Sequence, residues 1–394
     1  MSKFLESFER FRNGTATEEE TAIVREEISK HEAIEAYLTE QLDQAIPSAG
    51  EDMDVAAGKR IARRVRFKMV SVVLIVLFGI AALSAAAVAV CNAYYYDPNK
   101  GIGPVYGGDG QLLIDMWAFS ELHSPGYMTV WAEAWRDGPG SYEVRIRQNS
   151  LFTGLQETAS ERIVRGRVLG NDDRTPNDYW HFPIGNAFGY REGSVLRVDE
   201  DGTEYRAPAA EDLAWQIEAL GELPASSRAA VYVTFAHDLP LEAFAELYHV
   251  WNSQVGFLYA AVTSADGYMP NTVGFSPDGS GIVLENGPEE YPYFQLSGHY
   301  EELQSDPAAA WEQHFRAIVS YLAGRSQFLE TMASVNGISP NYYNEVLDYI
   351  DQNGMQIYGV LITGSAADIR SFLESEDYLD FYVDGVRLSV LSNS

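Results

Sequence analysis

The residues able to do chemistry come first. Seven histidines stand at 31, 123, 181, 237, 249, 299 and 314. No two have the H-x3-H or HExxH spacing that puts metal ligands on one helix face. The single cysteine, Cys91, excludes a disulfide framework and any cysteine-rich zinc or iron–sulfur site. Gly274-Phe275-Ser276-Pro277-Asp278 lacks the closing glycine of a G-x-S-x-G nucleophile turn. Asp278-Gly279-Ser280-Gly281 leaves the calcium-loop pattern after its first positions. His237-Asp238 precedes a helix start, where an acid belongs to the N-terminal cap rather than to a triad. The glycine-rich run at 101–110 has no following Lys-Ser/Thr, so it reads as a tether, not a phosphate loop. The expectation is therefore no enzyme, no catalytic residue, no metal and no cofactor.

The elements that carry these residues are set out by charge. The chain has 394 residues and a net charge of −30, which argues against nucleic acid as a partner, because affinity there comes from neutralised phosphates. Residues 1–58 hold 14 acids and 5 bases. A basic collar follows: Lys59, Arg60, Arg63, Arg64, Arg66 and Lys68, with no acid among them. Residues 69–96 carry no Asp, Glu, Lys or Arg, and 97–394 return to 43 acids against 16 bases.

Met69 to Val90 is 22 uncharged residues, about 33 Å as a helix at ~1.5 Å per residue, enough for a bilayer core. It lies too deep and runs too long for a signal peptide. A collar of lysine and arginine stays on the cytoplasmic side. The spacing thus predicts one transmembrane helix, with residues 1–68 cytoplasmic and 97–394 extracytoplasmic. Tyr94, Tyr95 and Tyr96 form an outer aromatic belt, and the collar faces anionic lipid of the bilayer. Ala81, Ala85 and Ala89 recur every fourth residue, the small-residue spacing that lets a second membrane helix approach. Cys91 reads as an unpaired interfacial residue.

Residues 4–46 read as two or three short helices. Phe4, Leu5, Phe8 and Phe11 form one apolar stripe, Asn13-Gly14 a helix stop, and Thr17-Glu18-Glu19-Glu20 a capping box. Ile23, Val24 and Ile28 follow, then Ile34, Tyr37 and Leu38. So short a unit buries little core. It either folds on itself as a hairpin or clamps another protein with its apolar faces. The clamp is favoured because the stripes outnumber what the unit can hide.

Beyond the span the pattern is α+β. MTVWAEAW and YEVRIRQ alternate around Asp137-Gly138-Pro139-Gly140, and 111–207 read as strand-rich. Val231, Val233 and Phe235 mark a strand, and Pro240 opens a helix. Trp311, Phe315, Ile318, Val319 and Leu322 share a helix face. Ser339-Pro340 starts a helix ending at Asn353-Gly354, and residues 355–363 are apolar on both faces, as in a central strand. Ser365 with Asp368 caps a further helix. Asp384-Gly385 between YLDFYV and VRLSVL predicts a hairpin. Residues 266–305 read as a long surface excursion.

FERFRNGTATEEETAIVREEISKHEAIEAYL resembles the N-terminal module of membrane-bound anti-sigma factors. His31 is followed by Glu35 and Leu38 where zinc-binding members carry cysteines, so the resemblance is to the zinc-less branch. Strand 231–235, HDLPLEAFAELYHVWNSQVGFLYA and YIDQNGMQIYGVLITGSAADIRSFL look like the C-terminal domain of the sigma factor regulator family, the anti-sigma-M type of Gram-positive bacteria. The expected organisation is a short all-α cytoplasmic head (1–50), a linker and collar (51–68), a transmembrane helix (69–91) and a tether (92–110). A strand-rich subdomain (111–210) and an α+β regulator domain (225–390) complete it. The resemblance implies a single-pass cell-membrane protein that sequesters an extracytoplasmic-function sigma factor and releases it on an envelope signal. Phe4, Phe8, Phe11, Ile23, Val24 and Ile28 are the candidate sigma-binding residues. The alternative is a bitopic envelope protein whose outer domain binds a ligand or membrane partner, without sigma regulation.

Overall fold

The computed structural model describes residues 10–11, 13, 16–45, 55–100, 110–169, 188, 195–198, 204–206, 210–266, 269, 271–279, 283–284, 287–333 and 338–388. Two compact units divide the chain, Met1–Ala81 and Ala82–Ser394.

In the first unit, α1 is one helix from Glu18 to Ala45, 28 residues long. Short successive helices were expected over this stretch. No glycine or proline interrupts 18–45, and Lys30, Glu32, Ala33, Glu35 and Ala36 are all good helix formers, so the helix propagates. Helix α2, Val55–Tyr94, starts in the first unit and continues into the second. Its stretch from Ala62 to Tyr94 is long and apolar enough to cross a membrane and is not buried within the protein.

The second unit is an α+β region with two main antiparallel sheets. Helix α3 (Gln111–His123) precedes β1 (Tyr127–Gly138), β2 (Ser141–Ser150), β3 (Gln156–Val164) and β4 (Val168–Leu169), which pair in sequence order. The hairpin read at 137–140 is present, with Gly138 opposite Ser141. A helix at 111–123 was not expected in a strand-rich segment. QLLIDMWAFSELH is buried on nearly every side, so no polar face marks a helical period.

After β5 (Val195–Val198), β6 (Glu204–Arg206) and α4 (Ala210–Gly221) come β7 (Ser227–Pro240), α5 (Leu241–Trp251), β8 (Val255–Val262) and β9 (Gly274–Phe275). Then follow α6 (Tyr300–Ser305), α7 (Pro307–Ala323), α8 (Ser326–Met332), α9 (Pro340–Asn353), β10 (Gln356–Ser365), α10 (Ala366–Ser375) and β11 (Tyr378–Leu388). The second sheet runs β11-β7-β10-β8-β9. Its central strands are buried on both faces. On β7, Val231, Val233 and Phe235 enter the main core, while Ala230 and Tyr232 enter a smaller cluster with Phe152, Phe188 and Tyr358. The main core also takes Tyr142, Val144 and Ile146 of β2, so hairpin sheet and C-terminal sheet share one apolar interior. Trp311, Phe315, Ile318, Val319 and Leu322 of α7 are fully buried there, each contributing about 1.5–3 kcal/mol. Ser339 and Ser365 cap α9 and α10 as their sequences predict.

Three readings are corrected. Residues 378–388 form one strand along β7, not a hairpin; the register shifts between Val383 and Gly385, so Asp384-Gly385 makes a bulge. At 14 residues, β7 is long enough to pair the whole run, so nothing forces a turn. Asp238 is not a helix cap: it lies in β7, and α5 starts after Pro240 with no side-chain cap. The segment 266–305 is no surface excursion in its described parts, because Met269, Val273, Phe275, Leu284, Phe294 and Leu296 anchor it in the interior. Gly274 permits this: a Cβ there would lie 2.1 Å from the Ala260 carbonyl oxygen.

Candidate functional site: an exposed head helix and a buried latch at the end of the long apolar helix

The head helix begins with a reciprocal capping box. The Glu20 amide donates to Thr17 Oγ1 at 3.3 Å, and the Thr17 amide donates to Glu20 Oε2 at 3.0 Å. Arg10 Nη1 also reaches Glu20, at 2.8 Å. The Thr17 amide, and then Arg10, hold the Glu20 carboxyl below its usual range. At ~100° per residue, Tyr37, Ile23, Ile34, Leu38, Val24 and Ile28 spread over about half the helix circumference. Ile23, Ile34, Tyr37 and Leu38 are each more than half exposed. Of the candidate sigma-binding residues, Ile23 and Ile28 are exposed, Phe11 is half-buried and Val24 is fully buried. Phe4 and Phe8 lie outside the described residues.

In the collar, Arg63, Arg64, Arg66 and Lys68 are exposed; Lys59 and Arg60 lie on the same helix. Ala81, Ala85 and Ala89 are also exposed. Cys91 is a free, half-buried thiol.

Past the apolar stretch, the end of α2 is fastened to the rest of the second unit. Tyr142 of β2 donates to Asp97 Oδ1 at 2.9 Å, and Arg136 Nη2 lies 3.3 Å from Asn92 Oδ1. Gln327 Nε2 donates to the carbonyls of Ala93 and Tyr94 at 3.3 and 3.1 Å, taking two acceptors that a helix end leaves open. Deeper in, Asp115 of α3 is fully buried. Arg325 donates to both its oxygens at 2.8 and 2.9 Å, Tyr321 at 2.6 Å, Tyr96 at 2.8 Å and Gln111 at 3.1 Å. Burial and the neighbouring Asp115 carboxylate push the Tyr96 and Tyr321 hydroxyls well above their ordinary range, so both stay protonated donors. Burial works against the Arg325 charge, but its hydrogen bonds to Asp115 outweigh that and raise its pKa. The latch thus ties Tyr96, two residues beyond α2, to α3, α7 and the residue preceding α8. Beside it an open cleft of about 720 Å³ is lined by Tyr94, Tyr95, Arg165, Arg167 and Gln327.

The reading of residues in chain order missed the latch. Asp115 and Arg325 are 210 positions apart, and no local spacing announces such a pair. An acid inside an otherwise apolar helix, Asp115 in QLLIDMWAF, was the available signal. Among the described residues no group of three His, Cys, Asp or Glu is placed to hold a metal.

Residues 220–380 match the family model described as sigma factor regulator C-terminal. The match takes in the second sheet from β7 to the start of β11, together with Tyr321 and Arg325 of the latch. No curated protein and no solved structure shows significant similarity to the chain.

Proposed function

We propose that the protein is a membrane-anchored anti-sigma factor. Residues 1–50 form a cytoplasmic head that holds an extracytoplasmic-function sigma factor at the membrane. Residues 51–68 form the linker and collar, 69–91 the span and 92–110 the tether. The outer part, 111–210 and 225–390, receives an envelope signal that ends the sequestration. The match of 220–380 to the sigma factor regulator C-terminal model carries this reading. Two physical features support it. The collar sits at one end of the apolar stretch only, and the lysine–arginine bias favours that end on the inner side. The exposed stripe of α1, rimmed by acids, suits an apolar docking face with basic surroundings on the partner. Ala81, Ala85 and Ala89 would serve a second membrane helix. The family reading makes the protein regulatory rather than enzymatic.

Docking through Phe4, Phe8, Phe11, Ile23, Val24 and Ile28 is expected to fail when charge is placed in the stripe. In cells carrying a reporter for the cognate promoter, Phe8→Asp with Phe11→Asp should raise promoter activity to that of a strain lacking the protein. The amount of protein in the membrane fraction should stay the same. Unchanged repression by the double variant would refute the apolar clamp.

A further inference from the structure

Helix α3 carries a second buried polar group that the latch does not use. Trp117 and Glu121, one turn apart, are 2% and 3% exposed. Glu121 Oε1 accepts from the Ser276 amide at 2.7 Å and faces His314 Nε2 at 3.5 Å. Among the described residues its other oxygen, Oε2, has no hydrogen-bond partner, and neither has the Trp117 indole N–H. The tryptophans Trp311 and Trp251 do use theirs, on the Pro277 carbonyl and the Glu376 carboxylate. Leaving a buried acceptor and a buried donor unmade is costly, and native interiors rarely do so.

Both orphaned groups belong to residues lining one cavity of about 110 Å³, which Asp278, Leu296, Leu303 and His314 also line. His314 Nδ1 lies 2.8 Å from the Tyr293 carbonyl, which can only accept, so Nδ1 carries a proton. Nε2 meets Glu121 only at the long distance of 3.5 Å, and on Oε1. That contact uses Oε1 and leaves Oε2 open. Asp278 adds a second carboxyl group, which accepts from the Tyr248 hydroxyl, and no lysine or arginine is among the described lining residues.

We propose that this cavity binds a small organic ammonium ion that also carries an oxygen acceptor. The ammonium donates to Glu121 Oε2, the oxygen accepts from Trp117 Nε1, and Leu296 and Leu303 cover the carbon atoms. A cavity near 150 Å³ holds benzene, so the space here admits roughly four or five non-hydrogen atoms. Ethanolamine and glycinamide have that size and both groups. A charge-assisted bond to a buried carboxylate favours them over neutral molecules of the same shape. The inference stands whether or not the protein binds a sigma factor.

The test is isothermal titration of the full chain in detergent micelles with ethanolamine and glycinamide, and with ethylene glycol and acetamide as neutral counterparts. At least one ammonium probe should bind saturably, and the neutral compounds should not. Glu121→Gln keeps the acceptor for Ser276 and removes the charge; Trp117→Phe removes only the indole N–H and some volume. Each should weaken ammonium binding by about tenfold or more. If Glu121→Gln does not fold, Trp117→Phe alone decides. The proposal is overturned if neither ammonium probe binds, if ethylene glycol binds as well as ethanolamine, or if binding is unchanged in the folded variants. The cavity would then hold water only.

Discussion

Asp115→Asn is expected to destabilise the second unit by about 3–5 kcal/mol, because it leaves a buried arginine without its counter-charge. Asparagine keeps one acceptor but turns an N–H donor group toward Arg325, Tyr321 and Tyr96, all of which donate to Asp115 now. Arg325 is only one-fifth exposed at its side chain, so water does not readily replace the carboxylate. The thermal midpoint of the full chain in detergent, followed by near-ultraviolet circular dichroism, should fall by on the order of 10 °C. Asp97→Asn should cost less, about 1 kcal/mol, because asparagine keeps an oxygen acceptor for the Tyr142 hydroxyl and the Arg136 it also loses is one-third exposed. Equal midpoints for wild type and Asp115→Asn would show that the latch does not hold the structure together.

The second large effect is on pH. His123 is buried; its Nδ1 donates to the Thr272 carbonyl at 2.7 Å, so its Nε2 accepts from the Tyr343 hydroxyl at 2.8 Å. Phe119 and Tyr342 pack their rings near it. Burial lowers its pKa to about 4, against a weaker opposing contribution from the Thr272 carbonyl. The unfolded chain takes up this proton near pH 6.5, the folded one only near 4. Between those values the unfolded state binds more protons, so stability is lost as pH falls. The shift corresponds to about 3 kcal/mol, fully present above pH 6.5 and gone below 4. Glu161, Asp278, Asp380 and Asp384 have carboxyl groups raised by burial and act in the opposite sense. The wild-type curve therefore sums both, and the comparison with His123→Gln isolates the histidine. Unfolding free energy measured in urea from pH 7 to pH 4.5 should fall more steeply in wild type than in His123→Gln. Parallel curves would mean that His123 is protonated in the folded protein.

What the sequence made legible follows physical range. Elements with strong local signals came through: the Thr17–Glu20 capping box, the caps at Ser339 and Ser365, and the turn between Gly138 and Ser141. The long apolar helix was equally plain, since its uncharged run needs no distant partner to be read. Helix α3 was hidden because a helix buried all round loses its period. Asp384-Gly385 carried a turn signal, but the length of β7 decided otherwise, and that length is a property of another segment. The interior path of 266–305 depends on Gly274 fitting against Ala260 and Tyr259, which composition does not reveal. The latch and the Glu121 cavity each join residues far apart in sequence. An acid in a buried helix is the only trace they leave, and α3 has two, Asp115 and Glu121.

These features give the account a mechanical frame. Head helix α1 exposes an apolar stripe, the stretch 62–94 of α2 is long and apolar enough to cross a bilayer, and its C-terminal end is fastened by Gln327, Tyr142 and, through Tyr96, by Asp115. A rearrangement of the sheet and helices that match the sigma factor regulator model has a direct physical route to the end of α2. The central claim, that the head holds a sigma factor at the membrane, is tested by co-purification. The full chain is expressed with each extracytoplasmic-function sigma factor of the source genome, and detergent-solubilised membranes are captured through a C-terminal tag. One sigma factor should be retained by the full chain and lost from a chain lacking residues 1–50. Retention of none, or equal retention without the head, would contradict the account.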